Sequence, residues 1–198
     1  MIGAAALLLV AGQSPYFPPP DASAAPGCPP LVASGSARRI IRNAEWLGRE
    51  LTATGEISLY HLARTGDADV VRFLWMPSFH PTVRIRIEGL GSTSPRLIAV
   101  RGSERGGRGS SGVGARIDRR LTLEETKAMR AVLDPPVLFP EKGRNHGTND
   151  LDGAEWLIER VGKGQCYMAA TQHSPDTGPL YAAGTAMLRL TGWAIEPY

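Results

Sequence analysis

Between Thr82 and Glu88 the chain reads TVRIRIE, with polar and apolar residues in strict alternation. A strand points successive side chains to opposite faces. Val83, Ile85 and Ile87 therefore face one way, and Thr82, Arg84, Arg86 and Glu88 the other. A helix cannot bury a period of two, so this segment commits the chain to a sheet with one buried face. The preceding VVRFLWM repeats the pattern, with Val71, Phe73 and Trp75 alternating with Arg72 and Leu74. PSFHP between the two carries the prolines of a turn or bulge. RLIAVR, Arg96 to Arg101, predicts a third strand. GARIDRRL predicts a fourth, through Ala115, Ile117, Arg119 and Leu121. EWLIERVGKGQCYMAATQ reads as a hairpin turning at Gly162-Lys163-Gly164. On it, Trp156 and Ile158 are expected in the core. Leu157 shares the outer face with Glu159 unless a second layer covers it.

Three segments carry the helical period. In ARRIIRNAEWLGRELTA, Ile40, Ala44, Leu47 and Leu51 recur on one face and Gly55 ends the pattern. Thr122-Leu123-Glu124-Glu125 is a capping box, and its helix stops at Asp134-Pro135-Pro136. The last helix starts at Asp176 or Thr177, places Leu180, Gly184, Met187 and Thr191 on one face, and meets a C-terminal glycine at Gly192. ISLYHLA, from Ile57, fits strand or helix. Residues 134–153 read as a polar loop. Hairpin-linked strands make an antiparallel sheet that needs a cover, so the expected fold class is α+β: a mostly antiparallel sheet with helices packed on one face.

The 198 residues allow one domain with a real core, and apolar and charged contents of 42% and 21% are ordinary for a globular protein. A net charge of +3, with the Arg residues scattered, does not make the basic stripe of a nucleic-acid module. MIGAAALLLVA is too short for a transmembrane span and has the length of a signal-peptide core. Ala22-Ser23-Ala24 supplies a cleavage site. Against this, no Lys or Arg precedes the apolar run. The expected division is a signal peptide over 1–24, a flexible Pro/Ala/Gly-rich linker over 25–36, and a single domain over 37–198. The expected compartment is periplasmic or secreted. There Cys28 and Cys166 can pair across a long loop; the alternative is two unrelated thiols.

Motifs of chemistry are sparse. GRGSSG, Gly107 to Gly112, fits G-x-G-x-x-G, but a phosphate loop must open a helix, and here a strand follows. No nucleotide is expected, and no nucleic acid. TNDLDGAEWLIE, Thr148 to Glu159, imitates a calcium loop at Asp150, Asp152, Gly153 and Glu159, yet position one is Thr148 and the flanks are not helices. His61, His80, His146 and His173 lack the spacing of a zinc site, so neither metal nor cofactor is expected. Catalytic candidates reduce to His146, Asp150, Asp152 and His173, which the hairpin would gather at one end. Ser174 beside His173 is a sequence neighbour, and nucleophile–base pairs are made by geometry.

FLWMPSFHPTVRIRI, LDGAEWLIERVGKGQCYMA, and the SP before a final helix ending LRLTGW resemble an uncharacterised family of bacterial proteins with FLW…FH, LDGAxWxLE and SP motifs. The resemblance covers about Val70 to Gly192. It implies a shared fold and no chemistry. The chain departs from the family's Tyr-His at Tyr167-Met168 and from its Trp-Ser-Pro at His173-Ser174-Pro175. The expected function is a non-enzymatic exported protein that binds an envelope protein or polymer, of inhibitor or immunity type among other forms. The alternative is a small hydrolase built on the four candidates. A third reading, an RGG-like nucleic-acid binder through Arg101 to Arg108, would require residence in the cytoplasm.

Overall fold

The computed structural model describes residues 16–32, 36–66, 68–103, 113–139, 152–162, 164 and 166–197. Six strands form one sheet: β1 (Val70–Pro77), β2 (Val83–Glu88), β3 (Arg96–Gly102), β4 (Val113–Arg120), β5 (Ala154–Gly162) and β6 (Cys166–His173). Their order is β4-β3-β2-β1-β5-β6, and every neighbouring pair is antiparallel. The helices are α1 (Ala37–Ala53), α2 (Leu59–Thr65), α3 (Leu123–Val132), α4 (Pro135–Leu138) and α5 (Gly178–Arg189). This is an α+β fold.

The helices lie on both faces of the sheet, not on one as expected. On the first face, Val71, Phe73 and Trp75 of β1 and Trp156 and Ile158 of β5 join Leu180 and Met187 of α5 and Met129 of α3. On the second, Leu74, Met76, Leu157, Val161 and Tyr167 join Leu47 and Leu51 of α1 and Leu59 of α2. All eight residues of β1 are buried. On β1 and β5 the second face also carries apolar residues, Leu74, Met76, Leu157 and Val161, and apolar surface on either side must be covered. Leu157 is thus buried on the opposite side from Trp156, under the second layer of helices. ISLYHLA resolves as a helix because the Ser58 hydroxyl accepts from the His61 amide, an N-cap that ends the extended segment. The expected polar loop after α3 begins with the short turn α4, which buries Leu138.

The first described segment also departs from expectation. Phe17 is 4% exposed within the second core. The Tyr16 hydroxyl donates to the Glu56 carbonyl at 2.6 Å, and the Ser58 hydroxyl donates to the Tyr16 carbonyl at 3.0 Å. Val32 forms a parallel bridge with Ala169, whose amide donates to the Leu31 carbonyl at 2.9 Å. Of the stretch expected to be a loose linker over 25–36, the described residues up to Val32 form a strap along β6. The outer edge of that strand offers the strap backbone partners that composition alone does not reveal.

Candidate functional site

The hairpin and the strand before it build three polar centres. The first sits where β5 begins and β6 ends. Gly153 enters β5 at φ +145°, with no room for a side chain: a Cβ there would lie 2.3 Å from Ser174 Oγ and 2.8 Å from His173 Nε2. Ser174 itself has φ +39°, and its hydroxyl accepts from the Ala154 amide at 2.9 Å. Its role here is to hold the end of the sheet. His173 Nδ1 stands 3.7 Å from a Glu155 carboxylate oxygen that also receives Arg39 at 3.1 Å. The other Glu155 oxygen accepts from the Thr171 hydroxyl at 2.5 Å. Of the sequence candidates, His173 is in this centre and Asp152 is exposed beside it. His146 and Asp150 lie outside the described residues, as do the glycine run 104–112 and Lys163. Glu155, Arg39 and Thr171 went unseen in the sequence, since their meeting depends on α1 crossing the end of β6.

The second centre is buried beneath the junction of α1 and α2. Arg72 is fully buried and donates to Glu159 at 2.9 and 2.6 Å, to Glu56 at 3.2 Å and to the Ile57 carbonyl at 2.6 Å. Glu56 also pairs with Arg84 at 3.1 Å and with Arg86 at 2.8 Å. Burial by itself would lower the Arg72 pKa, but the Glu159 and Glu56 carboxylates outweigh it and raise it. Burial lowers Arg84, with Glu56 opposing and the neighbouring arginines adding to the effect. The Tyr167 hydroxyl donates to Glu159 at 2.9 Å. Burial, and then the adjacent carboxylate, push this phenol well above its usual range. Glu159, which stood last in the imitation calcium loop, is therefore committed to Arg72 and Tyr167. Arg72, the one charge inside the apolar run VVRFLWM, was the signal of this centre in the sequence.

The third is a cleft of about 390 Å³ between the strap, α2 and the β5–β6 turn, lined by Ser23, Ala25, Cys28, Leu31, Tyr60, Ala63, Arg64, Gly164 and Tyr167. Its wall is fixed covalently, because Cys28 and Cys166 are joined by a disulfide with their Cα atoms 5.3 Å apart. Tyr60 meets Tyr167 edge to face at 5.6 Å between ring centroids. The Arg64 guanidinium sits 5.7 Å over the Tyr60 ring, and its Nη1 donates to the Tyr60 hydroxyl at 3.0 Å. The Tyr167 hydroxyl donates to Glu159, and the residue is 2% exposed. No short-range pattern joins residues 28, 64 and 167, and sequence reasoning missed the cleft.

Among the described residues, no group of three His, Cys, Asp or Glu side chains could hold a metal ion, and no helix is long and apolar enough to cross a membrane. Fold and site define a disulfide-bonded α+β protein with a six-stranded antiparallel sheet sandwiched between helices. Comparison with protein-family models, with curated proteins and with solved structures finds no match.

Proposed function

We propose that this is a non-enzymatic, exported binding protein of the cell envelope, and that its ligand or partner enters the cleft between the strap and α2. One observation carries the reading: a concave site of ligand size, with aromatic walls, a guanidinium at its edge and a disulfide holding it open. The chemistry suits a flat or apolar group resting against Tyr60, with a hydrogen-bond acceptor or carboxylate reaching Arg64. The hydrolase alternative has less behind it. Of its four residues, only Asp152 and His173 are among the described ones; Asp152 is exposed, and His173 Nδ1 faces a Glu155 carboxylate that is also bound by Arg39 and Thr171.

Export belongs to the same proposal. Tyr16 and Phe17 pack into the folded unit. A cut that preserves them falls ahead of Tyr16, in preference to the Ala22-Ser23-Ala24 site. N-terminal sequencing of protein from the periplasm reads the position directly. An intact Met1 on cytoplasmic protein would overturn export.

The binding test is affinity capture of the tagged protein from envelope extracts, alongside the Ala25→Trp variant. Ala25 is exposed on the strap, so the indole narrows the cleft without entering the core. The expected result is a ligand held by the wild type and lost by the variant at unchanged melting temperature. Equal capture by both proteins would remove the cleft from the proposal.

A further inference from the structure

We propose that the ligand of the cleft is the free carboxyl terminus of a peptide, an assignment that rests on the cleft being the binding site and adds what the ligand must bring. The terminal carboxylate meets Arg64 and Tyr60, and the last amide N–H meets the Gly164 carbonyl. Charge selects the carboxylate. Among the described residues that line the cleft, Arg64 is the one charged side chain, and none is Asp or Glu. Its partner within the chain is neutral: Nη1 donates to the Tyr60 hydroxyl at 3.0 Å, and the guanidinium lies 5.7 Å over the Tyr60 ring. No carboxylate of a described residue pairs with it, whereas Arg72, Arg84 and Arg86 of the buried centre each hold one. The contacts with Tyr60 fix the guanidinium in place and leave most of its N–H donors unspent. The Tyr60 oxygen accepts from Arg64, so its own hydrogen remains to be donated. A guanidinium N–H and a phenol O–H thus stand side by side, two donors for the two oxygens of one carboxylate. A single cation matches a monoanion; a phosphate dianion would find only part of its charge answered.

The opposite wall asks for a donor. Gly164, in the β5–β6 turn, lines the same cleft. Its carbonyl oxygen lies 4.0 Å from Cys28 Sγ and 3.9 Å from Cys166 Sγ. Those sulfurs are bonded to each other and carry no hydrogen, so no described residue donates to this carbonyl. A peptide's last residue carries the complementary set, an amide N–H and a carboxylate separated by one Cα. The strap supplies apolar contact for its side chain through Ala25 and the half-buried Leu31. A volume of about 390 Å³ is at the small end for ligand sites, which suits a chain end and not a folded surface. Gly164 and Ala25 are exposed, so the rest of the peptide leaves to solvent between them. Capture of a terminal carboxylate by fixed donors is an established mode of peptide recognition.

Calorimetric titration of the disulfide-bonded full chain with N-acetylglycylleucine tests it. Two analogues accompany this probe: its carboxamide, which lacks the charge, and its depsipeptide, in which an ester oxygen replaces the last N–H. The wild type is expected to bind the acid, and each analogue roughly tenfold or more weakly. Arg64→Met should bind acid and carboxamide alike, and Tyr60→Phe should narrow the same preference. Circular dichroism and melting curves confirm that each variant folds. Ala25→Trp should abolish binding of the acid. A wild type that does not bind the acid overturns the assignment. So does a preference for the acid that survives in Arg64→Met, or a depsipeptide that binds as tightly as the acid. Acid and carboxamide bound equally, and both lost in Ala25→Trp, would keep the cleft as the site and overturn the carboxylate. Acid binding unchanged in Ala25→Trp would overturn the cleft itself.

Discussion

Two residues in the second half of the chain show how narrow the tolerances are. Gly153 combines φ +145° with a Cβ position already taken by Ser174 and His173. Gly153→Ala should cost roughly 2–3 kcal/mol, through backbone strain and the displaced Ser174 cap on Ala154. A urea titration reads the loss, and an unchanged midpoint would contradict the geometry. Glu159 holds Arg72 and Tyr167 in a place with no solvent. Glu159→Gln keeps the shape but leaves the Arg72 guanidinium short of a carboxylate. Breaking a buried pair from one side costs roughly 3–5 kcal/mol. A loss below about 1 kcal/mol in the same titration would mean that Glu56 alone satisfies Arg72. Neighbouring residues of the same stretch have structural partners as well. In LDGAEWLIE, Gly153 makes the close turn, Trp156 packs on Phe73 at 5.3 Å and Glu159 meets Arg72. The SP that follows supplies the Ser174 cap.

At the scale of elements, α3 is the most legible. Its capping box forms as the spacing TLEE requires, with the Thr122 hydroxyl accepting from the Glu125 amide and Glu125 accepting from the Thr122 amide. The sequence did not disclose that Glu125 also receives Arg119 of β4, at 2.8 and 2.7 Å. The Arg119 hydrogen bonds, with the Thr122 amide, hold this carboxyl down at about 2 from its usual 4.5. A carboxyl depressed on folding stabilises the native state above its unfolded pKa, and that contribution fades as pH falls from 4.5 towards 2. The group is solvent-screened, so the effect should not exceed about 1 kcal/mol. Glu125→Gln should therefore be less stable than the wild type at neutral pH and equal to it near pH 2, as followed by helical ellipticity against urea at each pH. A difference independent of pH would assign the loss to packing. α2 was ambiguous in sequence because a seven-residue segment is too short for its period to decide; the Ser58 cap and the buried Leu59 and Ala63 decide it.

The whole molecule is closed by its disulfide. Cys28 and Cys166 are 138 residues apart in sequence, so the bond ties the strap to β6 and shrinks the unfolded ensemble of most of the chain. By chain entropy that is worth about 4–5 kcal/mol. Reduction should lower the urea midpoint accordingly and expose the Leu31–Val32 backbone to hydrogen exchange. A midpoint unmoved by reductant would show that the strap is held by Phe17 and the Val32 bridge alone. What the sequence by itself determined was local. It held the strands, through periods of two; the start of α3, through its capping box; and the α+β class, through the order of those elements. These depend on interactions spanning a few residues, and neighbouring side chains suffice to specify them. The tertiary structure alone decided that β5 returns beside β1, and with it that both faces of β1 are buried and that helices cover each. It also decided that Arg72 finds Glu159 across 87 positions and that the strap, α2 and the hairpin turn enclose a cleft. Such contacts are chosen by the burial of apolar area summed over the whole chain. That quantity is indifferent to sequence distance, so no single segment carries its signature.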